Sequence, residues 1–227
     1  MKICIDAGHN YSGADTGAVG NGLREQDITF AIAEKLKNLF SGTDIQIVMT
    51  RNKLTDNLGT SLNSSLDARA AICNNNKCDY FISIHCNAGG GTGSEVYVYK
   101  FGGEAQKLAN VVADNICSDL ELVKRGVKEG NFAVLRNTNC PAILVETAFI
   151  DNQNDASVLK NKQAEFASAI YKSVLKYLGI NEGISIADIK KFLTAKWNLS
   201  EPADVFNLLD KHPYKDTLYK KIYDSYM

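Results

Sequence analysis

Three short apolar runs stand out along the chain, and each carries a residue with chemistry at or near its end. Lys2 to Asp6 runs into a Gly8-His9-Asn10 turn, YFISIHCN at 80 to 87 contains His85, and AILVETAF at 142 to 149 contains Glu146. Parallel strands buried on both faces read as near-continuous apolar runs, whereas half-exposed strands alternate. The runs therefore predict three interior parallel strands. DIQIVMT predicts another, ending at Thr50-Arg51. EVYVYK alternates, which suits an antiparallel strand at the sheet edge, and FAVLR reads as a further short strand.

Helical spacing fills the intervals. Residues 26 to 40 place Ile28, Ile32, Leu36, Leu39 and Phe40 on one stripe; a helix is expected over roughly 65 to 74 after a polar loop; and GEAQKLANVVADNICSDL aligns Leu108, Val111, Val112, Ile116 and Leu120. A long helix is expected from about Asp155 to Leu178, with Leu159, Phe166, Ile170, Val174 and Leu178 in a stripe. Strands alternating with helices give an α/β fold: a mostly parallel twisted sheet of about six strands with helices on both faces. This domain spans 1 to 180. Residues 184 to 227 predict a small helical module with helices opening at Ser185, at Ser200 and after Pro213. So short a unit buries too little surface to stand alone.

Composition narrows the partners. The chain has 227 residues and a formal net charge of −1, so it lacks the basic excess on which nucleic-acid binding rests. No apolar run approaches the roughly 20 residues of a membrane span, so no membrane insertion is expected. The first fifteen residues hold no basic segment followed by an apolar stretch, so the expectation is synthesis in the cytoplasm without a signal peptide. Six cysteines lie scattered without a C-x-x-C pair and read as reduced thiols, Cys4 and Cys117 as core residues. Cys86 follows His85 in a strand, so it points to the opposite face.

The chemistry lies at strand ends. In open α/β sheets ligands bind outside the carboxyl ends of the strands, where His9 and His85 are expected. The glycine-rich loop GHNYSGADTGAVGNGLREQ resembles no phosphate-binding loop, and it would carry Glu25 back to His9. Catalytic zinc typically takes three protein ligands, with His₂Glu a known set. His9, Glu25 and His85 are accordingly assigned to the metal and Glu146 to the general base. Each has a plainer reading. A lone histidine after a strand is more often a hydrogen-bonded structural group, and a glutamate opening a helix is often simply solvated. Glu146 is the sharper signal, because a carboxylate inside an apolar run is costly unless paired or used. His212, beside Pro213, reads as a surface residue.

Successive blocks carry a resemblance: IDAGHN…GADTGAVG, GLREQDITFAIAEKLKNLF, Thr50-Arg51, SLDARAAICNN, FISIHCNA, GSEVYVY and RGVKEGNFAVLRNTNCPAILVETAFIDN. Together they resemble, in order and over about residues 1 to 180, the zinc-dependent N-acetylmuramoyl-L-alanine amidases of the Amidase_3 type. The resemblance implies one Zn²⁺ per chain on His9, Glu25 and His85, Glu146 as catalytic glutamate, and bacterial peptidoglycan as substrate, cut between N-acetylmuramic acid and L-alanine. Asn10 and Ala148 stand where the family usually has glycine, and Arg69 and Asn87 match family positions with structural support as the favoured role. The implied setting is an endolysin or mother-cell lysis enzyme that reaches the wall through a membrane lesion or cell lysis. Residues 184 to 227 would then bind wall or form a homo-oligomer. The rivals are a silent peptidoglycan-binding protein and a zinc peptidase or deacetylase acting on another amide.

Overall fold

The computed structural model describes residues 1–180 and, beyond them, Leu193, Thr194, Lys196, Phe206, Asp210, Tyr219 and Ile222. The chain divides into two compact units, Met1–Gly179 and Ile180–Met227. In the second, the Tyr219 hydroxyl donates to Asp210 Oδ1 at 3.0 Å. The three helices expected there, the module's wall-binding or oligomerising role, and His212 lie outside the described residues.

The first unit is built on a six-stranded sheet. Its strands are β1 (Lys2–Ala7), β4 (Gln46–Met49), β5 (Tyr80–Asn87), β6 (Ser94–Val98), β7 (Lys124–Glu129) and β8 (Ala142–Phe149), in the order β4-β1-β5-β8-β6-β7. A two-stranded hairpin of β2 (Val19–Gly20) and β3 (Leu23–Arg24) stands apart. The three apolar runs are the adjacent strands β1, β5 and β8, paired in parallel. Chain direction sets the site. From β1 the chain crosses to β4 on one side, then returns to β5 on the other, so the β1/β5 seam is a switch point where a crevice opens.

The helices are α1 (Glu25–Leu39), α2 (Leu62–Asn75), α3 (Glu104–Leu120), α4 (Ala133–Arg136), α5 (Gln153–Asn161) and α6 (Gln163–Tyr177). Alternate strand residues build two cores, as the two-residue period requires. Ile3, Ile5, Ile82, Ile84, Ile143 and Val145 pack with α1, α3 and α6. Cys4, Phe81, Ala142 and Leu144 pack with Cys73, Val134 and Leu135 of α2 and α4. Asp6, His85 and Glu146 share the second face, while Cys86 sits in the first core as its place in the strand predicted.

Three expectations are corrected. FAVLR is not a strand: Leu135 and Arg136 N–H groups both donate to the Phe132 carbonyl, closing the helical turn α4, and Val134 and Leu135 are buried. An apolar run this short does not distinguish strand from helix. The sixth strand is instead β7, whose polar KRGVKE pattern hid it; lysines on an edge strand discourage pairing with other chains. It takes the edge expected for β6, which pairs antiparallel with β8 from inside the sheet. The long helix over 155 to 178 breaks at Lys162 (φ −121°, ψ 35°) into α5 and α6. Buried Asp155 pins α5 by accepting from the N–H groups of Gly93 and Phe149.

Candidate metal centre

The turn after β1 is clamped before it presents its imidazole. Gly8 N–H donates to the Ile84 carbonyl on β5 (3.0 Å), and the Gly8 carbonyl accepts from Thr29 Oγ1 of α1 (2.8 Å). Buried Arg51 donates from Nε to the Ala7 carbonyl and from Nη2 to the Gln26 carbonyl, tying the turn to the start of α1. His9 is held at φ 66°, a left-handed conformation that costs a non-glycine residue about 1–3 kcal/mol. Asp15 orients the ring by accepting from Nδ1 (3.1 Å). Asp15 is itself fixed by Ser65 Oγ at 2.5 Å, and α2 also carries Arg69, which spans buried Asp6 (2.8 Å) and Asn10 Oδ1 (3.1 Å). Nε2, on the far side of the ring from Asp15, faces Glu25 and His85. A carboxylate behind a ligating histidine sets the tautomer and raises basicity.

Glu25 arrives through the hairpin. Its own N–H donates to the Ala18 carbonyl, and Ala18 N–H returns a bond to Glu25 Oε2 (both 2.9 Å). Oε1 accepts from the Cys86 N–H (2.9 Å). It then lies 3.0 Å from His9 Nε2 and 3.1 Å from His85 Nδ1, and those two nitrogens are 3.1 Å apart. Three donor atoms from β1's turn, α1 and β5 thus form a nearly equilateral triangle.

The triangle fits a divalent metal of the zinc class. Bonds of about 2.0–2.1 Å in a tetrahedral shell separate neighbouring ligands by about 3.3 Å, close to the spacing here. Two imidazoles and one carboxylate are also the donor chemistry that zinc-like ions prefer over magnesium or calcium.

Two glycines make this approach sterically feasible. A Cβ on Gly17 would stand 2.6 Å from Glu25 Cβ and 2.8 Å from His9 Cδ2, and one on Gly8 would stand 2.5 Å from His85 Cε1. We expect Gly17→Ala to weaken metal binding on the order of 10-fold or more, read by competition with a chromogenic chelator. Unchanged affinity would mean the triangle tolerates displacement.

Glu146 is the fourth member. It pairs with His85 in the sheet register and opens on a cleft of about 360 Å³ lined by His9, Glu25, His85, Leu66, Phe132 and Leu144, among others. Its Oε2 is buried with no hydrogen-bond partner. Burial raises its pKa to about 7, with Glu25 and Glu95 adding and the histidines opposing. Glu95, opposite it on β6, is different: burial would raise its pKa, but Lys128, Arg125 and the Tyr97 hydroxyl outweigh that and hold it near 2. One carboxylate stays ionised while its neighbour is poised to exchange a proton.

The structure therefore brings together His9, Glu25, His85 and Glu146. Arg69 and Asn87 have supporting positions, Asn87 Nδ2 donating to Glu95 (2.8 Å). Asn10, in place of a glycine, bonds both backbone groups of Leu58 and fastens the 52–60 loop. Cys86 is a buried thiol whose pKa is pushed well up by burial and by Glu25. Gly8 was read only as part of the turn, and Asp15, Gly17 and Glu95 carry no local signal beyond the density of glycines between β1 and α1, which hints at close packing there.

Without metal the same contacts give a pH signature. Burial would lower the His9 pKa, but Asp15 and Glu25 raise it from 6.5 to about 9. A raised histidine contributes stability that is full below the unfolded value and lost as pH rises through the folded one. Glu25 works oppositely: burial raises it, His85 and His9 outweigh burial, and its contribution is lost as pH falls below 4.5. Glu146, at its midpoint near 7, also costs stability as pH rises through that value, so the His9 contribution is read by difference against His9→Asn. The melting temperature of the chelator-treated chain should therefore fall between pH 7 and 9, and less so in His9→Asn. An equal fall in both would contradict the assignment.

Among known proteins, the family described as N-acetylmuramoyl-L-alanine amidase (Amidase_3) matches residues 3–176. The chain is 39% identical over 162 residues to the N-acetylmuramoyl-L-alanine amidase CwlM of Bacillus licheniformis, covering 71% of this chain and 61% of that protein. It is 37% identical over 161 residues to the sporulation-specific N-acetylmuramoyl-L-alanine amidase of Bacillus subtilis strain 168, covering 70% and 60%. The chain thus spans about three fifths of the length of these two relatives. The crystal structure of an N-acetylmuramoyl-L-alanine amidase from Clostridium difficile 630 superposes with a TM-score of 0.70 at 34% identity, over 79% of this chain and 97% of that one.

Proposed function

Because the chain belongs to the N-acetylmuramoyl-L-alanine amidase family, we propose that it hydrolyses the amide between the lactyl group of N-acetylmuramic acid and L-alanine in peptidoglycan. The observation that carries this reading is a buried carboxylate with an unpartnered oxygen, Glu146, beside a triangle of donor atoms 3.0–3.1 Å apart. His9 Nε2, Glu25 Oε1 and His85 Nδ1 would hold the ion, with zinc the best match to the donor set. When bound, such an ion supplies a Lewis acid for the carbonyl and brings the pKa of a water to about 7.

The protein's own groups do the rest. Glu146, with a pKa near 7, accepts the proton of the attacking water and delivers it to the leaving amine of L-alanine. Asp15 holds His9 in the tautomer that leaves Nε2 unprotonated for the ion. Leu66, Phe132 and Leu144 give the cleft an apolar wall that keeps Glu146 desolvated. The site of action is the cell wall. No helix among the described residues is long and apolar enough to cross a membrane.

The reading is tested on purified walls by turbidity. A strong chelator should abolish clearing, and zinc added in slight excess should restore it. Clearing that survives complete metal removal would overturn the metal assignment.

A further inference from the structure

Four of the six cysteines, from three segments far apart in sequence, meet at the end of α2. Cys4 lies on β1, Cys73 in the last turn of α2, Cys78 in the turn before β5, and Cys140 just before β8. The sulfurs of Cys4, Cys73 and Cys78 all lie within 4.8 Å of one another. Cys140 Sγ is 3.6 Å from Cys73 Sγ. None of the four belongs to the His9–Glu25–His85 centre, which sits beyond the opposite end of β1.

Local structure builds a knuckle here. Asn76 caps the end of α2, Lys77 adopts the left-handed φ of 52°, and Cys78 N–H turns back to the Cys73 carbonyl at 3.2 Å. The result is a C-x₄-C loop that folds two sulfurs together, within the two-to-four-residue spacing common in zinc sites. Cys4 meets them from the sheet because it shares a face of β1 with Asp6. Lys2 Nζ donates to the Asn76 carbonyl at 3.3 Å and sets a cation beside the knuckle. In a tetrahedral tetrathiolate site, bonds of about 2.3 Å put the sulfurs about 3.8 Å apart. The three sulfurs of Cys4, Cys73 and Cys78 lie within 4.8 Å of one another, and Cys140 touches this group through Cys73 alone, at 3.6 Å.

We propose that Cys4, Cys73 and Cys78 form a second, structural metal site that takes zinc or an ion of the same thiol-binding class, with Cys140, against Cys73, moving in as the fourth ligand. Its role follows from α2. Ser65, Arg69 and Cys73 recur every four residues and so share one helix face; the first two hold Asp15 and Asp6 behind His9. An ion on Cys73 and Cys4 would pin that helix to β1 and fix the support of His9. The inference does not depend on the amidase reading.

The test uses the full chain, kept reduced, with cobalt(II) as a probe. Thiolate-to-cobalt charge transfer in the near ultraviolet is expected, because the His9–Glu25–His85 centre holds no sulfur. The band should persist in His9→Ala/His85→Ala, which should still bind about one equivalent of zinc by elemental analysis. It should weaken in Cys78→Ser. Cobalt binding without a thiolate band in the wild-type chain would overturn the proposal, as would reduced protein whose four thiols all react with a thiol reagent at the same rate with and without zinc. The wild-type spectrum decides the matter even if a cysteine variant fails to fold.

Discussion

Glu146→Gln is expected to lower wall-lytic activity by roughly 10²–10⁴-fold while leaving metal content unchanged. Glutamine keeps the shape of the side chain and its place between His85 and Glu95 in the sheet, so the donor triangle is undisturbed. What it loses is a group that can take a proton from water and return it to the amine. The same change should not destabilise the protein near neutral pH. Burial raises the Glu146 pKa from 4.5 to about 7, and a carboxylate with a raised folded pKa costs stability as pH climbs through that interval. At pH 7.5 the variant should therefore melt at or above the wild-type temperature. Loss of activity with retained or increased stability is the mark of a functional residue held in an unfavourable environment. Near wild-type rates would remove Glu146 from the mechanism.

His85→Ala is expected to abolish both metal binding at this centre and activity. It removes one of three donors, a larger loss than the 10–100-fold typical of groups that merely orient a ligand. The fold should persist, because His9 Nε2 and Glu25 Oε1 remain 3.0 Å apart and can pair, and Glu25 keeps its bonds from Ala18 and Cys86. The two variants thus separate the roles: metal kept and turnover lost for Glu146→Gln, both lost for His85→Ala. Elemental analysis, corrected for ion held by the cysteines, checks the difference. Retention of full metal affinity in His85→Ala would contradict the donor triangle.

The central strands were legible because burial on both sheet faces leaves a continuous apolar run, and a polar residue in such a run needs a reason. That logic picked out His85 and Glu146, and the strand-end rule picked out His9. Glu25 was legible once a long glycine-rich loop demanded a purpose. β7 was not, since an edge strand is free to be polar, and KRGVKE carries no periodicity. The break at Lys162 was hidden because Leu159 and Phe166 keep their helical stripe across it, and the bonds from Asp155 that pin α5 are tertiary. Asp15 was invisible for a related reason. Its value comes from facing His9, Ser65 and Arg69 together, and no local pattern encodes that meeting. The cysteines illustrate the limit most clearly: Cys73 and Cys78 are close in the chain, but only the tertiary packing brings Cys4 of β1 and Cys140 before β8 to them.

The most direct test of the central claim is the bond broken. Purified peptidoglycan digested by the full chain should yield peptides with new L-alanine amino termini and glycan strands that keep intact lactyl groups, without new reducing sugar ends. Mass spectrometry of the soluble products, compared with a Glu146→Gln digest, would show this. New reducing ends, or fragments cut between amino acids of the stem peptide, would contradict it.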